Sequence, residues 1–281
     1  MMLAKKKVGF FGAGEMTKAI LYGLVEQQKV DREKIFIINR SDQKKISQLV
    51  DQYQFKPEQI QRENVINADI VILAVKPADL FDLLKDIGPK FHKGQCIISV
   101  AAGIRLECIE AFLQEEVAVI RAMPNTSASI GLSATAITVG KWAREQDIEI
   151  AEQIFSSIGM VLTVKEDLLD TVTGISGSGP AYFYYMVEAM EAAGVKAGLS
   201  KQDARKLVLQ TILGAAHMLC DTELDAKSLR QAVTSPNGTT MAALETLEAY
   251  RFEEAIEQAV NKATKRSVQI GKEFAAKLLQ V

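Results

Sequence analysis

Two glycines near the start of the chain have the spacing of a phosphate-binding turn. The apolar run 8–11 leads directly into these glycines, and a helical pattern follows them. In a strand–turn–helix context, such glycines let the backbone approach a pyrophosphate, which the helix N-terminus then stabilises. We therefore predict a dinucleotide site here, with a tight turn that binds nothing as the alternative. The predicted contacts are Gly12, Ala13, Gly14, Glu15 and Met16.

Arg40 and Ser41 follow the second apolar run, at residues 35–38. Folds that select NAD usually place an acid after this strand, where it accepts a hydrogen bond from the ribose 2′-hydroxyl. The sequence has no acid at this point, and a guanidinium beside a hydroxyl suits a 2′-phosphate through charge-assisted hydrogen bonds. The pair predicts NADPH as the cofactor, with NADH as the second choice. The alternative is that Arg40 is a solvated turn residue.

Small and polar residues end three further apolar runs, at 74–77, 99–103 and 121–126. Because ligands of open α/β sheets lie at the carboxyl ends of the strands, these segments predict the rest of a cofactor groove. Alanines allow close approach to a flat ring, and an asparagine amide can bond the nicotinamide end. The predicted contacts are Ala74, Val75, Lys76, Pro77, Val100, Ala101, Ala102 and Asn125.

Two loops rich in glycine and hydroxyl residues precede helical segments in the second half of the chain, at 175–180 and 233–240. Free amides and hydroxyls at a helix N-terminus form an anion-binding arrangement. The alternative is that each loop is only a helix cap. In the second loop, Thr240 follows a turn whose amides can receive a carboxylate, so its hydroxyl is predicted to lie beside a bound anion.

The elements that position these residues change in type near residue 165. Before it, short runs rich in Val and Ile alternate with helix-sized segments, a pattern typical of a mostly parallel, doubly wound sheet of Rossmann type. After it, the pattern is almost entirely helical. We predict an α/β domain at 1–165 and an all-helical domain at 166–281. The predicted strands are 8–11, 35–38, 70–75, 96–100, 117–120, 135–139 and 160–164.

The helical segment 180–198 is apolar around most of its surface. A helical domain of this size has little interior in which to bury such a helix, so its apolar residues predict a subunit interface. We therefore expect a homodimer through the helical domain, with a higher assembly of dimers left open. The charged segment 251–277 is expected to be a solvated helix.

Composition excludes several classes of function. The 281 residues carry 33 Lys+Arg against 35 Asp+Glu, so the chain lacks the basic excess that a nucleic-acid binder needs. The apolar stretches are too short to span a bilayer, and the first residues lack the pattern of a secretion signal. The 3 cysteines and 2 histidines are scattered, which disfavours a disulfide framework or a zinc site. We expect a cytosolic protein whose ligands are small molecules, with no metal.

The motifs occur in an order that resembles one enzyme family over essentially the whole chain. They are GFFGAGEM, NRS, LAVKP, SVAAG, RAMPNT, ISGSGPAY and TSPNGTT. Together they resemble the pyrroline-5-carboxylate reductases, and SGSGPAY followed by SPNGTT is the specific part. The resemblance implies a Rossmann domain, a helical dimerisation domain, and reduction of Δ1-pyrroline-5-carboxylate to L-proline with NAD(P)H, the last step of proline biosynthesis.

The same resemblance implies which residues form the substrate site. The substrate carboxylate would meet the second loop, with Thr240 near the ring nitrogen and Glu223 in its neighbourhood; these two are the predicted catalytic residues. The predicted substrate contacts are Val233, Ser235, Gly238, Thr239 and Thr240. By the same resemblance, the sequence departs from the family pattern at four positions. These are Glu15, where the family commonly has an uncharged residue, Thr17, where alanine is usual, Ser127, where proline is frequent, and Asn237, where glycine is usual.

Two other readings stay open at this stage. A related NADP-dependent imine reductase or a 3-hydroxyacid dehydrogenase shares the two-domain plan, but such dehydrogenases resemble one another in a lysine that handles the hydroxyl proton. No lysine follows the glycines at 177–179, so alcohol oxidation would lack its proton acceptor. A non-catalytic protein that senses NADP is the other alternative, and the complete TSPNGTT loop argues against it.

Overall fold

The computed structural model describes residues 3–40, 42–114 and 116–279. The strands are β1 (Val8–Phe11), β2 (Ile35–Ile38), β3 (Ile70–Leu73), β4 (Cys96–Ser99), β5 (Ala118–Met123), β6 (Ser133–Val139) and β7 (Gly159–Thr163). Within the described residues they form one 7-stranded sheet in the order β2-β1-β3-β4-β5-β6-β7. Neighbouring strands are parallel, except that β6 runs antiparallel to β5. The predicted mostly parallel sheet is confirmed.

Helices follow most of the strands, and the described chain after β7 is helical. They are α1 (Glu15–Glu26), α2 (Gln43–Tyr53), α3 (Arg62–Ile66), α4 (Pro77–Ile87), α5 (Leu106–Glu110), α6 (Glu145–Ser156), α7 (Leu169–Val172), α8 (Gly179–Lys196), α9 (Lys201–Asp221), α10 (Ala226–Ala232), α11 (Thr239–Ala249) and α12 (Phe252–Leu278). A π-helical turn, Thr173–Gly177, lies between α7 and α8. In the described ranges, no helix combines the length and apolar character that crossing a membrane requires.

The sheet is buried on both faces because successive strand residues point to opposite sides. Phe10 and Ile72 belong to one apolar cluster with residues of α1 and α6, while Phe11 and Val71 belong to a second cluster with residues of α4. Each such buried side chain contributes about 1.5 to 3 kcal/mol relative to exposure. Helices therefore cover both faces, which is the doubly wound arrangement that the sequence predicts.

The chain packs into two compact units, Met1–Ser178 with Asn261–Val281, and Gly179–Val260. These units differ from the predicted division at residue 165, because two segments beyond it pack on the sheet. The second half of α12 is one of them. Phe274 is buried and meets the ring of Phe81 edge-on, with centroids 5.5 Å apart. A Cβ on Gly271 would overlap the carbonyl oxygen of Gly103, so helix and loop touch backbone to backbone.

Segment 166–178 is the other part that packs on the sheet unit, and a buried ion pair holds it there. The Arg121 guanidinium on β5 lies 2.6 Å from Glu166 Oε1, with side-chain exposures of 3% and 19%. The same carboxylate oxygen accepts a hydrogen bond from the Leu106 amide at 2.7 Å. Farther along, the Ser267 hydroxyl of α12 donates to the Asp170 carboxylate at 2.5 Å, and both residues are buried. Buried charges are retained only when paired in this way.

The helical unit begins with α8 and α9, which lie against each other. Gly198, with a φ of 106°, follows the end of α8, and the Ser200 hydroxyl accepts from the Asp203 amide at 3.1 Å to start α9. The α8 residues that predicted a subunit interface are exposed in the single chain, among them Phe183 at 55% and Tyr185 at 75%. The α8 surface is therefore free for another protein surface to cover.

Candidate active site

The turn between β1 and α1 has the geometry that its glycines predict. Gly12 has a φ of 110°, a conformation that side chains disfavour. A Cβ at Gly12 would also overlap the carbonyl oxygen of Ala74, so the turn lies directly against the end of β3. The Gly12 amide donates to the Ile38 carbonyl at 2.8 Å, which ties the turn to β2 as well. Gly12 is required by the fold itself.

Two departures from the usual pattern are accommodated in this turn. Thr17 is fully buried, and its hydroxyl donates to the Gly12 carbonyl at 2.9 Å, so the larger side chain supports the turn. The Glu15 carboxylate is exposed and lies 2.9 Å from the Lys18 ammonium, one turn along α1. Its charge is therefore partly compensated beside the predicted phosphate position.

The N-terminus of α1 is left open for an anion. Gly14 is the N-cap residue, and among the described residues no side chain accepts a hydrogen bond from the first amides of the helix. By contrast, the Asp42 carboxylate caps α2 by accepting from the Lys45 amide at 3.3 Å. A Cβ on Gly14 would meet nothing within 4 Å, so space is free beside the amides. Open amides, a helix dipole and free space fit a dinucleotide pyrophosphate.

Arg40 follows β2 and is exposed. Its Nη2 lies 3.5 Å from Asp79 Oδ1, and the two side chains are 77% and 50% exposed. The guanidinium is therefore held at the surface near the glycine turn, where a 2′-phosphate is predicted. Ser41, its predicted companion, lies outside the described residues.

The strand ends predicted to line the groove meet at one edge of the sheet. The Ala74 amide donates to the Phe11 carbonyl at 2.8 Å, and the Val100 amide donates to the Leu73 carbonyl at 3.2 Å. These bonds place the ends of β1, β3 and β4 in register. Ala101 is buried at 6% exposure. Half-buried or exposed residues complete the edge: Ala74, Val75, Lys76, Pro77, Val100 and Ala102.

Both polar atoms of the Asn125 side chain form hydrogen bonds within the protein. Its amide nitrogen donates to the Ser176 carbonyl at 3.1 Å, and its amide oxygen accepts from the Ser127 backbone N–H at 3.1 Å. A proline at 127, common in the family, would lack that N–H. Asn125 thus holds the π-helical turn against the end of β5, and its contact with nicotinamide stays a prediction.

The predicted substrate loop lies between α10 and α11 in the helical unit. Val233 is exposed at 65%, and the Gly238 amide donates to the Ser235 carbonyl at 3.0 Å to close the turn. Asn237 has a φ of 58°, the left-handed conformation that glycine and asparagine adopt most readily. The departure at Asn237 therefore keeps the backbone path that a glycine would take.

The start of α11 is open in the same way as the start of α1. Gly238 is its N-cap, and no side chain within residues 3–40, 42–114 and 116–279 accepts a hydrogen bond from the first amides. The neighbouring α10 is capped, since the Asp225 carboxylate accepts from the Ser228 amide at 2.7 Å, a bond that lowers the pKa of Asp225 below its ordinary value. In the part of the chain that the structure describes, no protein group bonds the half-buried Thr240 hydroxyl. Thr240 is thus not the helix cap.

The remaining predicted residues, Thr239 and Glu223, also belong to the helical unit. Thr239 is the first residue of α11 and is exposed, as is Glu223 in the loop between α9 and α10. The roles of Glu223 and Thr239 stay predictions.

Sequence reasoning missed two features of the sheet unit. The Arg121–Glu166 pair joins residues far apart in the chain, and although Arg121 begins the RAMPNT motif, nothing along the sequence links it to Glu166. Asp79, which contacts Arg40, stands just beyond the predicted contact Pro77. The signal for Asp79 was an acid in the first turn of the helix that follows a predicted cofactor loop.

The open α1 terminus generates a prediction about Gly14. Its φ of −80° is ordinary for any residue and its surroundings are empty, so Gly14→Ala should leave the melting temperature of the free protein nearly unchanged. The added methyl would occupy the approach of the pyrophosphate, so the affinity for NAD(P)H should fall at least roughly 10-fold, about 1.4 kcal/mol. Fluorescence titration with NADPH and differential scanning fluorimetry measure the two effects.

Gly12→Ala is the matched control, because it adds the same methyl where the fold forbids it. It should lower the melting temperature of the protein without cofactor, since both its φ of 110° and the Ala74 carbonyl oppose a Cβ. Unchanged NADPH affinity in Gly14→Ala would show that the pyrophosphate lies elsewhere.

Known proteins resemble both parts of this chain. A family model described as pyrroline-5-carboxylate reductase dimerisation matches residues 166–270. A second, described as NADP oxidoreductase, coenzyme F420-dependent, matches residues 7–103. These matches support a homodimer and a nicotinamide cofactor. The first begins next to the predicted boundary at residue 165.

Relatives cover nearly the full length of the chain. Pyrroline-5-carboxylate reductase 2 of Bacillus subtilis (strain 168) is 42% identical over 275 residues, 98% of this chain and 99% of the relative. A solved pyrroline-5-carboxylate reductase structure from Coxiella burnetii matches with a TM-score of 0.85 and 33% identity, covering 94% of this chain and 98% of that one. Plasmodium falciparum pyrroline carboxylate reductase with NADP bound matches with a TM-score of 0.84 and 29% identity, covering 96% and 99%. The chain therefore belongs to the pyrroline-5-carboxylate reductase family.

Proposed function

We propose that this protein reduces Δ1-pyrroline-5-carboxylate to L-proline with NAD(P)H, as an oxidoreductase acting on a C=N bond. The observation that carries the proposal is the 42% identity, over 98% of the chain, to a relative named for this activity. The two open helix N-termini, at Gly14 and Gly238, support it, because the reaction needs one anion site for a dinucleotide and another for a carboxylate.

The chemistry makes modest demands on side chains. A cyclic imine protonates near neutral pH, and its iminium carbon accepts hydride without a strong base removing a proton in the same step. The bound dihydronicotinamide supplies that hydride. What the protein must provide is orientation of the ring, a site for its carboxylate and a hydroxyl at its nitrogen.

The start of α11 provides the carboxylate site in this proposal. The first amides of the helix have no side-chain cap, and the helix dipole favours an anion beside them. The left-handed Asn237 and the Gly238–Ser235 backbone bond close the preceding turn tightly. A substrate carboxylate there accepts hydrogen bonds from amides that the protein leaves unused.

Thr240 stands within one helical turn of that carboxylate site, and its hydroxyl has no partner among the described protein groups. In the substrate, the ring nitrogen is one carbon away from the carboxylate. The Thr240 hydroxyl therefore reaches the nitrogen when the carboxylate sits on the amides of α11. Glu223 acts in the same neighbourhood, where its negative charge favours the protonated iminium.

NADPH is the preferred cofactor in this proposal. Arg40 places a guanidinium after β2, near the glycine turn, and its exposure leaves it accessible to a phosphate. A guanidinium at this place suits the 2′-phosphate through charge-assisted hydrogen bonds. NADH lacks that group and gains nothing from Arg40.

The homodimer forms through the helical domain in this proposal. Exposed apolar side chains of α8 support the assignment, including Phe183, Tyr185 and Met190. Burying such residues contributes about 1.5 to 3 kcal/mol each, so a soluble chain that leaves them in water would be prone to association. A second copy that covers α8 removes this exposed surface.

The activity and the role of Thr240 are tested by one assay. The purified protein should convert Δ1-pyrroline-5-carboxylate into L-proline while it oxidises NADPH. In Thr240→Val the shape is kept and the hydroxyl is lost, so kcat should fall roughly 10 to 150-fold, about 1.5 to 3 kcal/mol, with the KM for NADPH little changed.

Thr246→Val is the matched control for this measurement. Thr246 stands on the same helix, and its hydroxyl donates to the Ala242 carbonyl at 3.0 Å within the helix. The control should keep its kcat. A Thr240→Val enzyme with an ordinary kcat would remove Thr240 from the catalytic residues, and absence of L-proline with the unaltered protein would refute the proposed reaction.

Arg40→Ala tests the cofactor preference. Loss of one charge-assisted phosphate contact costs about 1.5 to 3 kcal/mol, so kcat/KM for NADPH should fall roughly 10 to 150-fold while that for NADH stays near its original value. Arg62→Ala is the control, because it removes another exposed arginine of the sheet unit. It should change kcat/KM for NADPH and kcat/KM for NADH by the same factor. Equal losses for both cofactors in Arg40→Ala would show that Arg40 does not contact the 2′-phosphate.

A further inference from the structure

The Arg40–Asp79 ion pair spans the end of the strand that carries the glycine turn. Arg40 follows β2 and Asp79 lies in the first turn of α4, which follows β3. In the sheet order β2-β1-β3, these two strands flank β1 on either side. The 3.5 Å contact between Nη2 and Oδ1 therefore closes across the carboxyl end of β1, next to the predicted ribose position.

Asp79 is the acid directed at Arg40, although Asp42 is nearer in the sequence. The Asp42 carboxylate is occupied, because it accepts from the Lys45 amide at 3.3 Å and lies 3.7 Å from the Lys45 ammonium. The Asp79 amide donates to the Lys76 carbonyl at 2.9 Å, which fixes the residue in the first turn of α4. Among the described residues, Asp79 is the acid that forms an ion pair with Arg40.

We propose that Asp79 determines how strongly the enzyme prefers NADPH over NADH, by competing with the 2′-phosphate for Arg40. The inference rests on the proposed contact between Arg40 and that phosphate. The three residues that directly follow β2 in the sequence include no acid, although NAD-selective folds usually carry one there. The fold supplies an acid to the same place from α4, one strand farther along the sheet.

The competition has opposite consequences for the two cofactors. A bound 2′-phosphate must draw the guanidinium away from Asp79 and lies beside a negative carboxylate, both of which weaken NADPH binding. Without that phosphate, Arg40 stays paired with Asp79, and the carboxylate can accept a hydrogen bond from the ribose 2′-hydroxyl of NADH. Asp79 thus keeps NADH usable in a site whose arginine favours NADPH.

The effect is modest because the pair is exposed. Surface ion pairs contribute little, and their strength falls as salt screens the charges. For Asp79→Asn, we expect the ratio of kcat/KM for NADPH to that for NADH to rise about 2- to 5-fold at low ionic strength. The rise should shrink in high salt.

A binding measurement isolates the 2′-phosphate from the reaction. Calorimetric titration with 2′,5′-ADP and with 5′-AMP compares two ligands that differ by that phosphate alone. Asp79→Asn should tighten 2′,5′-ADP about 2- to 5-fold, and 5′-AMP should bind equally or more weakly. Asp82→Asn is the matched control, since it removes the same charge from the exposed surface of the same helix and should leave the ratio unchanged.

The double variant Arg40→Ala/Asp79→Asn tests whether Asp79 acts through Arg40. Against Arg40→Ala alone, the added Asp79 substitution should raise the cofactor ratio by less than Asp79→Asn does when Arg40 is present, because the competition for the guanidinium is gone and the direct effects of the carboxylate remain. The inference is overturned if Asp79→Asn affects both cofactors equally, if Asp82→Asn matches it, or if its effect is undiminished without Arg40. When Arg40→Ala lowers NADPH use but Asp79→Asn does not raise it, only this inference fails. When Arg40→Ala leaves the cofactor ratio unchanged, the phosphate contact and this inference both fail.

Discussion

The proposed function of this chain depends on two helices whose first amides bond no side chain among the described residues. Backbone N–H groups are strong donors, so a helix start without a cap sacrifices stability unless water or a ligand satisfies it. This chain caps α2, α9 and α10 with the side chains of Asp42, Ser200 and Asp225. It places glycine at the caps of α1 and α11 instead. In the proposed function, both ligand sites are therefore built from backbone amides, and each site favours an anion before any side chain acts.

Open helix ends are useful only when the segments around them are held rigidly. In the sheet unit that task falls to polar groups buried between distant parts of the chain. Glu166 pairs with Arg121 of β5, and it also accepts a hydrogen bond from the Leu106 amide at the start of α5. The Asn125 side chain holds the π-helical turn by donating to the Ser176 carbonyl. Removal of one member of such a set leaves a buried charge or donor unpaired, which costs more than the bond itself contributes. These bonds therefore fix the segment 166–178 against the end of β5.

The local parts of the structure could be predicted from sequence, and the long-range parts could not. The strands and the Gly12 turn follow from apolar runs and glycine spacing, which are properties of neighbouring residues. The second half of α12 reads as a solvated helix because it is charged, yet Phe274 and Gly271 pack it on the sheet unit. The roles of Glu166 and Asp79 depend on which strands are adjacent in space. No spacing along the chain encodes that adjacency.

The departures from the family pattern show what the sites require. Thr17 replaces a small residue yet returns a hydrogen bond to the Gly12 carbonyl, so the turn keeps its shape. Asn237 replaces glycine yet adopts the left-handed φ of 58° that glycine would supply. Ser127 replaces a proline and uses its amide to bond Asn125. In each case the side chain differs and a backbone conformation is supported. The residues present at these positions therefore keep the backbone path on which the proposed anion sites depend.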